Sequence, residues 1–448
     1  MKMSMPRVLW LIIKGEKFNP LLFALTLDKD YGGISYNTVG PVTMYQISDP
    51  ELIHEILVDK ADKFHKAERI RHALEPFAGN GLLLSEGDFW KRQRKLAQPA
   101  FHTKRIDSYA QTMVDFTVQM LDRWHNNEVR YIDREMMQLT LKIVCKTLFD
   151  ADVSGDAERV GVLLTEVLEE SNEKVTTAFE LPEWIPSAKR AHRKAMLAEL
   201  DTLIHRFIED RKRLGEDKGD LLSMLLEARD DDGSGMDPKQ LRDETMTLFI
   251  AGHETTAMAL SWAWYLLATH PETMQKLHHE VDTALQGRLP TLRDLANLPY
   301  TDMVLKEAMR LYPPAPGVSR QATEDVQIGD YLIEKDVMVS LSFYAMHRSA
   351  RYFENPEMFN PERFSKENEA NIPRYAYLPF SSGPRVCIGN MFAIMEARLI
   401  LAAIAQRYDL ELEAGQAIVA EQLLTIRPKH GIRMRLKQRE TVPAGNLV

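Results

Sequence analysis

The sequence predicts a mainly α protein with small β-sheets, and three observations carry that expectation. Apolar residues recur at three- and four-residue spacing through 106–125, 134–149, 157–172, 189–213, 241–269 and 391–407, so most of the chain reads as helix. Strand-like stretches are short: "GPVTMYQIS" at 40–48, "VQIGDYLIEKDVMVSLS" at 326–342 and "IRMRLK" near the end. Strands do not alternate with helices, and no glycine-rich fingerprint follows one, which excludes a doubly wound nucleotide-binding sheet.

Nothing in the 448 residues cuts the chain: there is no Gly/Ser linker, low-complexity tract or repeat, and the polar run "RDDDGSGMDPKQ" at 229–240 reads as a surface loop. One continuous domain over 1–448 is expected, with 1–40 as its N-terminal segment. In that segment "VLWLII" is only six apolar residues, far short of the roughly 20 that span a bilayer, so no integral membrane anchor is expected. A formal net charge of -9 repels phosphate backbones and argues against nucleic acid as a partner. Two cysteines make no disulfide framework and suit a reducing cytoplasm.

Further along, "WKRQRKLAQPAFHTKR" at 90–105 carries six Lys or Arg and no acid, and Trp90 and Arg94 share a helix face at i and i+4. Cys145 in "LTLKIVCKTLF" reads as a small core hydrophobe. The helix from Leu241 to His270 would run about 45 Å at 1.5 Å per residue. Its apolar run is broken by Gly252, His253, Glu254, Thr255 and Thr256. Glycine costs a helix interior about 1 kcal/mol relative to alanine, and a threonine hydroxyl can bond back to a preceding carbonyl and bend the axis. A core helix has no structural need of either; a solvated stripe is the plain alternative.

The second cysteine, in "PFSSGPRVCIGN" at 379–390, sits between Gly383 and Gly389 and beside Arg385. The glycines admit turns closed to other residues, and Pro384 fixes the entry. The N-terminus of the following helix and Arg385 would both favour a thiolate at Cys387. Such a thiolate serves as a nucleophile, a redox sensor, a zinc ligand or the axial ligand of a haem. Zinc needs three or four ligands, and no CxxC or HExxH spacing exists. A nucleophile needs a histidine base, which thirteen histidines leave open. Haem needs one thiolate, an apolar pocket opposite and cations for two propionates, and the remaining features meet that demand together.

"FSSGPRVCIG" resembles, without departure, the FxxGxRxCxG motif of the cytochrome P-450 family, the haem-thiolate monooxygenases. "KEAMRL" is similar to the family's ExxR pair, as Glu307 and Arg310, and "NPERF" supplies the third member, Arg363. "AGHETT" resembles the oxygen-binding stretch of its long central helix and "WKRQR" its WxxxR propionate motif. The motifs span the chain from about residue 40 to the C-terminal strands.

The resemblance implies the family's triangular helical body, with a long central helix over haem b (iron protoporphyrin IX). Cys387 would be the axial metal ligand, Phe380 would pack beside its sulfur, and Gly383 and Gly389 would keep side chains out of the loop. Trp90, Arg94, Arg320 and Arg385 would meet the propionates. Glu254 and Thr255 would be the catalytic acid–alcohol pair that orders water and relays protons, and Ala251 and Gly252 would leave room for dioxygen. Glu307, Arg310 and Arg363 would form a buried ion-pair network with a structural role.

Phe249, Ala251, Ala315, Gly317 and Val318, with "ERIRHALEPFAGNGLLL" and "LLTIRPKHG", would line a largely apolar pocket for a fatty acid, terpenoid or steroid-like substrate. Electrons from NAD(P)H would arrive through a ferredoxin or flavodoxin and its reductase, docking on the basic helix at 90–105. A cytoplasmic monomer is expected. A peroxide-driven hydroxylase or haem-thiolate isomerase would not need the Glu254–Thr255 relay, and a non-catalytic haem sensor is the alternative of another class.

Overall fold

The computed structural model describes residues 19–440 apart from 40–41, 153–154, 156, 177–186, 216 and 230–232; the apolar run at 8–13 lies outside the described residues. The first helices are α1 (Pro20–Tyr31), α2 (Pro50–His54), α3 (Glu68–Ala78), α4 (Gly87–Ala97) and α5 (Thr103–Leu121). Next come α6 (Ile132–Phe149), α7 (Ala157–Thr176), α8 (Ala188–Leu214) and α9 (Leu221–Glu227). The C-terminal half holds α10 (Pro238–Thr269), α11 (Pro271–Leu285), α12 (Pro299–Leu311), α13 (Phe343–His347) and α14 (Asn390–Arg407).

Helix ends follow local chemistry. Asp237 caps α10 by accepting from the Gln240 amide, Pro238 occupies its first turn, and Pro271 opens α11 directly after α10 stops. At 32 residues, α10 is about 48 Å long, enough to cross the whole body. It packs along α6, α12 and α14, and the main apolar core forms around it, with Trp262 and Trp264 fully buried. The helical periodicities seen in the sequence correspond to α5, α6, α7, α8, α10 and α14.

Strands β1 (Ile34–Val39), β2 (Val42–Ile47), β3 (Phe64–Lys66), β5 (Gly317–Ala322) and β8 (Met338–Ser342) form one sheet in the order β1-β2-β8-β5-β3. The expected strand at 40–48 is thus the second arm of a hairpin, and segments at 34–66 and 317–342 share a sheet, with a second apolar cluster packed on it. The expected 326–342 segment is three strands, β6 (Val326–Ile328), β7 (Tyr331–Ile333) and β8. Strand β4 (Val129–Tyr131) pairs with β12 (Arg433–Gln438), which also pairs with β9 (Tyr408–Leu412). Strands β10 (Ala420–Gln422) and β11 (Ile426–Pro428) make a separate hairpin. Among the described residues no helix is long and apolar enough to cross a membrane.

Candidate haem site

The loop that presents Cys387 is fixed from three sides. Gly383, at φ +72°, would put a Cβ 2.0 Å from the Leu57 carbonyl oxygen, so only glycine fits both the turn and the approach. The Cys387 amide donates to Phe380 O at 3.0 Å and the Val386 amide to Gly383 O at 3.1 Å. From the other side Arg94 Nη1 donates to Val386 O at 2.8 Å. Gly389 caps α14, and a Cβ there would meet only Phe101 at 3.7 Å. Contact with the segment after α2 therefore requires glycine at 383.

Behind this loop lies the predicted ion-pair network. Arg310 binds Glu307 through two bonds, Nε–Oε2 at 2.7 Å and Nη2–Oε1 at 2.8 Å, with both side chains fully buried. Arg363 Nε and the Asn360 amide also reach Glu307 Oε1, at 3.2 and 2.9 Å. The outer nitrogens of Arg310 donate to the carbonyls of His347, Pro356 and Met358. His347 then accepts the Leu378 amide at Nε2, 3.0 Å away, one residue before the cysteine loop begins. Burial, with Arg310 close by, pulls the His347 imidazole down to about 3, so it stays a neutral acceptor. Sequence reasoning missed His347, because nothing around it in "FYAMHRS" marks it from a core histidine.

Cys387 itself is solvent-accessible although the protein surrounds it. Burial raises the thiol; the Gly389 amide and the Arg94 cation oppose that shift. Arg94 is thus the cation acting on the sulfur, where the sequence suggested Arg385. Arg385 pairs instead with Glu86 and lies over the Trp90 ring, 4.1 Å from its centroid. Trp90 and Arg94 do share one face of α4, as their spacing predicted.

Arg320 and Arg385 meet a further cation. Lys66 stands directly opposite Arg320 in the β3–β5 pairing, an arrangement of like charges that destabilises a sheet unless an anion sits between them. Burial, Arg320 and Arg385 pull the Lys66 ammonium down to about 7 against the pull of Glu86, and burial takes Arg320 down to about 10. Glu86 is the carboxylate on hand, and its Oε1 is occupied by the Lys66 backbone amide at 2.8 Å. Such an excess of desolvated positive charge needs further anions. The residues fit a haem: a thiol in reach of an amide and a cation, and beside it a cation cluster suited to two propionates. Lys66 escaped the sequence reading because a lone lysine in "FHKAE" carries no motif; only the strand register brings it to Arg320.

Across the site, α10 turns an unusual face outward. Ala251 is exposed and Thr255 half-exposed in a stretch where His253, Glu254 and Thr256 are buried. The Thr255 hydroxyl donates to Ala251 O at 3.0 Å, the back-bond that loosens a helix turn. Gly252 does not face that space alone: a Cβ there would lie 3.1 Å from Val144 of α6, so its smallness serves helix packing. Glu254 is not on a solvated stripe either. Its Oε1 accepts from Thr425 Oγ1 at 2.5 Å and Arg427 Nε at 2.9 Å, both on or beside β11.

The pocket residues divide. Phe249 is fully buried against Phe149, Phe207 and His253, and it lies about 200° around the helix from Ala251, so it is a core residue rather than a lining one. Gly317 is needed where β5 pairs with β8, since a Cβ would fall 2.2 Å from Leu341 O. Val318 packs on the sheet cluster and Ala315 is half-buried before it. Phe380 packs partly buried against the main core.

The sequence matches the family model described as Cytochrome P450 over residues 4–433. It is 36% identical over 402 residues to a cyclooctatin synthase from Streptomyces melanosporofaciens, covering 89% of this chain and 87% of that protein. A cyclooctat-9-en-7-ol 5-monooxygenase from the same organism is 32% identical over 406 residues, with coverages of 89% and 87%. Human cytochrome P450 4V2 is 32% identical over 431 residues, covering 90% of this chain and 81% of that one.

Proposed function

We propose, from the premise that this chain belongs to the cytochrome P450 family and is one of its haem-thiolate monooxygenases, that it hydroxylates or epoxidises a lipophilic substrate using externally supplied electrons. The group bound would be haem b, which when present supplies the activation of dioxygen and the insertion of one oxygen atom. The observation that carries the reading is the accessible Cys387 thiol, with Arg94 and the Gly389 amide acting on it, beside the cluster of Lys66, Arg320 and Arg385.

Each residue then has a task. Cys387 Sγ would be the proximal ligand, with Arg94 and the adjacent amide favouring its anionic form against the opposing effect of burial. Trp90 would support Arg385 by stacking, and Lys66, Arg320 and Arg385 would neutralise the propionates. Ala251, small and exposed on α10, would leave room for dioxygen. Thr255 Oγ1 would order water there and pass protons, supplied through Glu254, to the oxygen site. Phe380 would exclude water from the sulfur.

The substrate reading rests on a largely apolar set around Ala315, Val318 and the β10–β11 hairpin, and on the relative whose name specifies an unsaturated alcohol. A fatty acid, a terpenoid and a steroid-like compound are the classes to screen. Electrons would come from NAD(P)H through a reductase and an acidic ferredoxin or flavodoxin. Lys91 and Lys95 are exposed on α4, beside a cleft lined by Trp90, Arg94 and Gln98, and offer that partner a basic face. A cytoplasmic monomer completes the proposal. The test is turnover under 18O2 with ferredoxin, reductase and NADPH over a lipophile panel. One labelled atom per product supports the reading; product formed equally well from hydrogen peroxide without reductase contradicts it.

A further inference from the structure

Two turns before Ala251, α10 holds a loop. Glu244, Thr247 and Ala251 fall at i, i+3 and i+7, so they share one helix face, with Glu244 about 10 Å from Ala251 along the axis. The segment after α3 is laid along that face. Thr247 Oγ1 donates to Ala78 O at 3.3 Å, the Asn80 amide to Asp243 Oδ2 at 2.9 Å and the Leu82 amide to Glu244 Oε2 at 2.9 Å. A Cβ at Gly81 would fall 2.5 Å from Asp243 O, so the loop is pressed onto the helix backbone. Four residues beyond Leu82, Glu86 accepts from the Lys66 amide and from Arg385. The loop is thus strung between α10 and the cation cluster, with half-buried Leu83 between the two anchors.

The two carboxylates hold the loop differently. Asp243 is neutralised: Lys239 Nζ reaches Oδ2 at 2.7 Å and Arg242 Nη1 reaches Oδ1 at 3.0 Å, while Arg242 also donates to Phe77 O and pairs with Asp201 of α8. Glu244 is fully buried, and among the described residues no cation bonds it; its Oε1 has no partner. Burial lifts its carboxyl to about 7 against the pull of the Leu82 amide, and Asp243 adds to the rise. The other charges nearby are Lys239 and Arg242 on α10, Asp201 on α8 and, bonded to Gln240, Arg92 on α4; none of them offsets the rise. A hydrogen bond to a carboxylate is about twice as strong as one to a neutral acceptor. Asp243 is therefore a constant grip on Asn80, and Glu244 a grip on Leu82 whose strength follows its charge.

We propose that Glu244 is a positioning residue that seats the loop at 79–84 as a wall of the substrate pocket and so sets the fit of bulky ligands, with a hold that tightens when its carboxyl ionises. The inference rests on the haem-bound reading above, in which this loop lines the pocket. Asp243 fixes where the loop starts; Glu244 decides whether Leu82 and Leu83 stay in place. A bulky ligand that meets a seated wall does not have to order it, and so binds more tightly. A ligand too small to reach the wall is indifferent to Glu244.

The test uses the haem-loaded protein with Glu244→Gln, which keeps an acceptor for the Leu82 amide but no charge, and Glu244→Leu, which removes the acceptor. The first readout needs no turnover: amide hydrogen exchange of residues 79–84, followed by mass spectrometry. At pH 8 exchange in this segment speeds up about tenfold in Glu244→Leu and about threefold in Glu244→Gln. The second readout is the binding of imidazole and of phenylimidazole, seen as a Soret shift when their nitrogen ligates the haem iron, with Kd expressed for the neutral azole. The ratio of the phenylimidazole Kd to the imidazole Kd rises at pH 8 by about tenfold in Glu244→Leu and about threefold in Glu244→Gln. At pH 6 Glu244 is protonated, so the wild-type ratio approaches that of Glu244→Gln, whose own ratio does not move with pH. A residue that only stabilised the fold would not produce that convergence. A ratio in Glu244→Leu within about twofold of wild type, or below it, overturns the proposal whatever the exchange shows. Should that variant not fold, the wild type decides: a ratio equal to that of Glu244→Gln at both pH values overturns it. If the wild type binds neither azole at a haem iron, the haem reading itself falls and the inference falls with it.

Discussion

Glu307 and Glu254 are both buried carboxylates facing an arginine, and the two pairs are finished differently. Glu307 is bound twice by Arg310, again by Arg363 and by a backbone amide, and the remaining donors of Arg310 end on carbonyls. Glu254 crowds its donors onto one oxygen, leaves the other bare, and shares its arginine with a neutral threonine on another helix. A buried ion pair recovers its desolvation only when the rest of its hydrogen-bonding capacity is met. The saturated pair is built to stay and reaches the cysteine loop through His347; the unsaturated one leaves a buried carboxylate oxygen without a donor.

The sharpest way to break this contrast is to remove one charge from each pair. Glu307→Gln leaves Arg310 buried and uncompensated, so we expect a loss of about 3–5 kcal/mol and failure to retain haem, read by urea denaturation and by haem content per chain. Glu254→Gln leaves Arg427 its Thr165 contact and should cost less, about 1–3 kcal/mol, retain haem and affect turnover. Equal losses in the two variants would erase the distinction.

A smaller effect tests how the saturated pair reaches the cysteine. The His347 imidazole lies at about 3 when folded against an ordinary 6.5. The unfolded chain therefore binds the extra proton across that window, and stability falls as pH falls through it. His347→Gln offers the Leu378 amide a carbonyl acceptor without a titrating group. Between pH 7 and 4 the wild type should lose roughly 2–3 kcal/mol relative to this variant, measured by thermal or urea unfolding at each pH. Parallel stability curves would show that His347 is not held neutral.

The smallest effect lies outside both pairs. Lys91→Glu with Lys95→Glu should slow reduction by an acidic ferredoxin about tenfold at low salt and about twofold or less at high salt, with stability unchanged. A rate insensitive to both salt and substitution would move the docking face elsewhere.

Much of this was legible in the sequence, for a physical reason. A cysteine held by glycine turns next to a helix start is a local arrangement, and local arrangements leave contiguous motifs; the same holds for Glu307 with Arg310 and for Trp90 with Arg94. What escaped depends on pairing between distant segments. Lys66 meets Arg320 only through the β3–β5 register. Arg427 reaches Glu254 only because the last hairpin folds back on α10. The close approach that demands glycine at 383 shows only when Leu57 is placed behind it. Phe249 reads as pocket lining from its nearness to Ala251, until helix geometry turns it into the aromatic core.

The central claim, that Cys387 ligates a haem as thiolate, is tested most directly by the carbon monoxide difference spectrum of the reduced protein, with Cys387→His alongside. A strongly red-shifted Soret band that disappears in the variant is the expected result. A band typical of histidine-ligated haem in the wild type, or a protein that takes up no haem, would contradict the account and return Cys387 to the role of a thiol nucleophile.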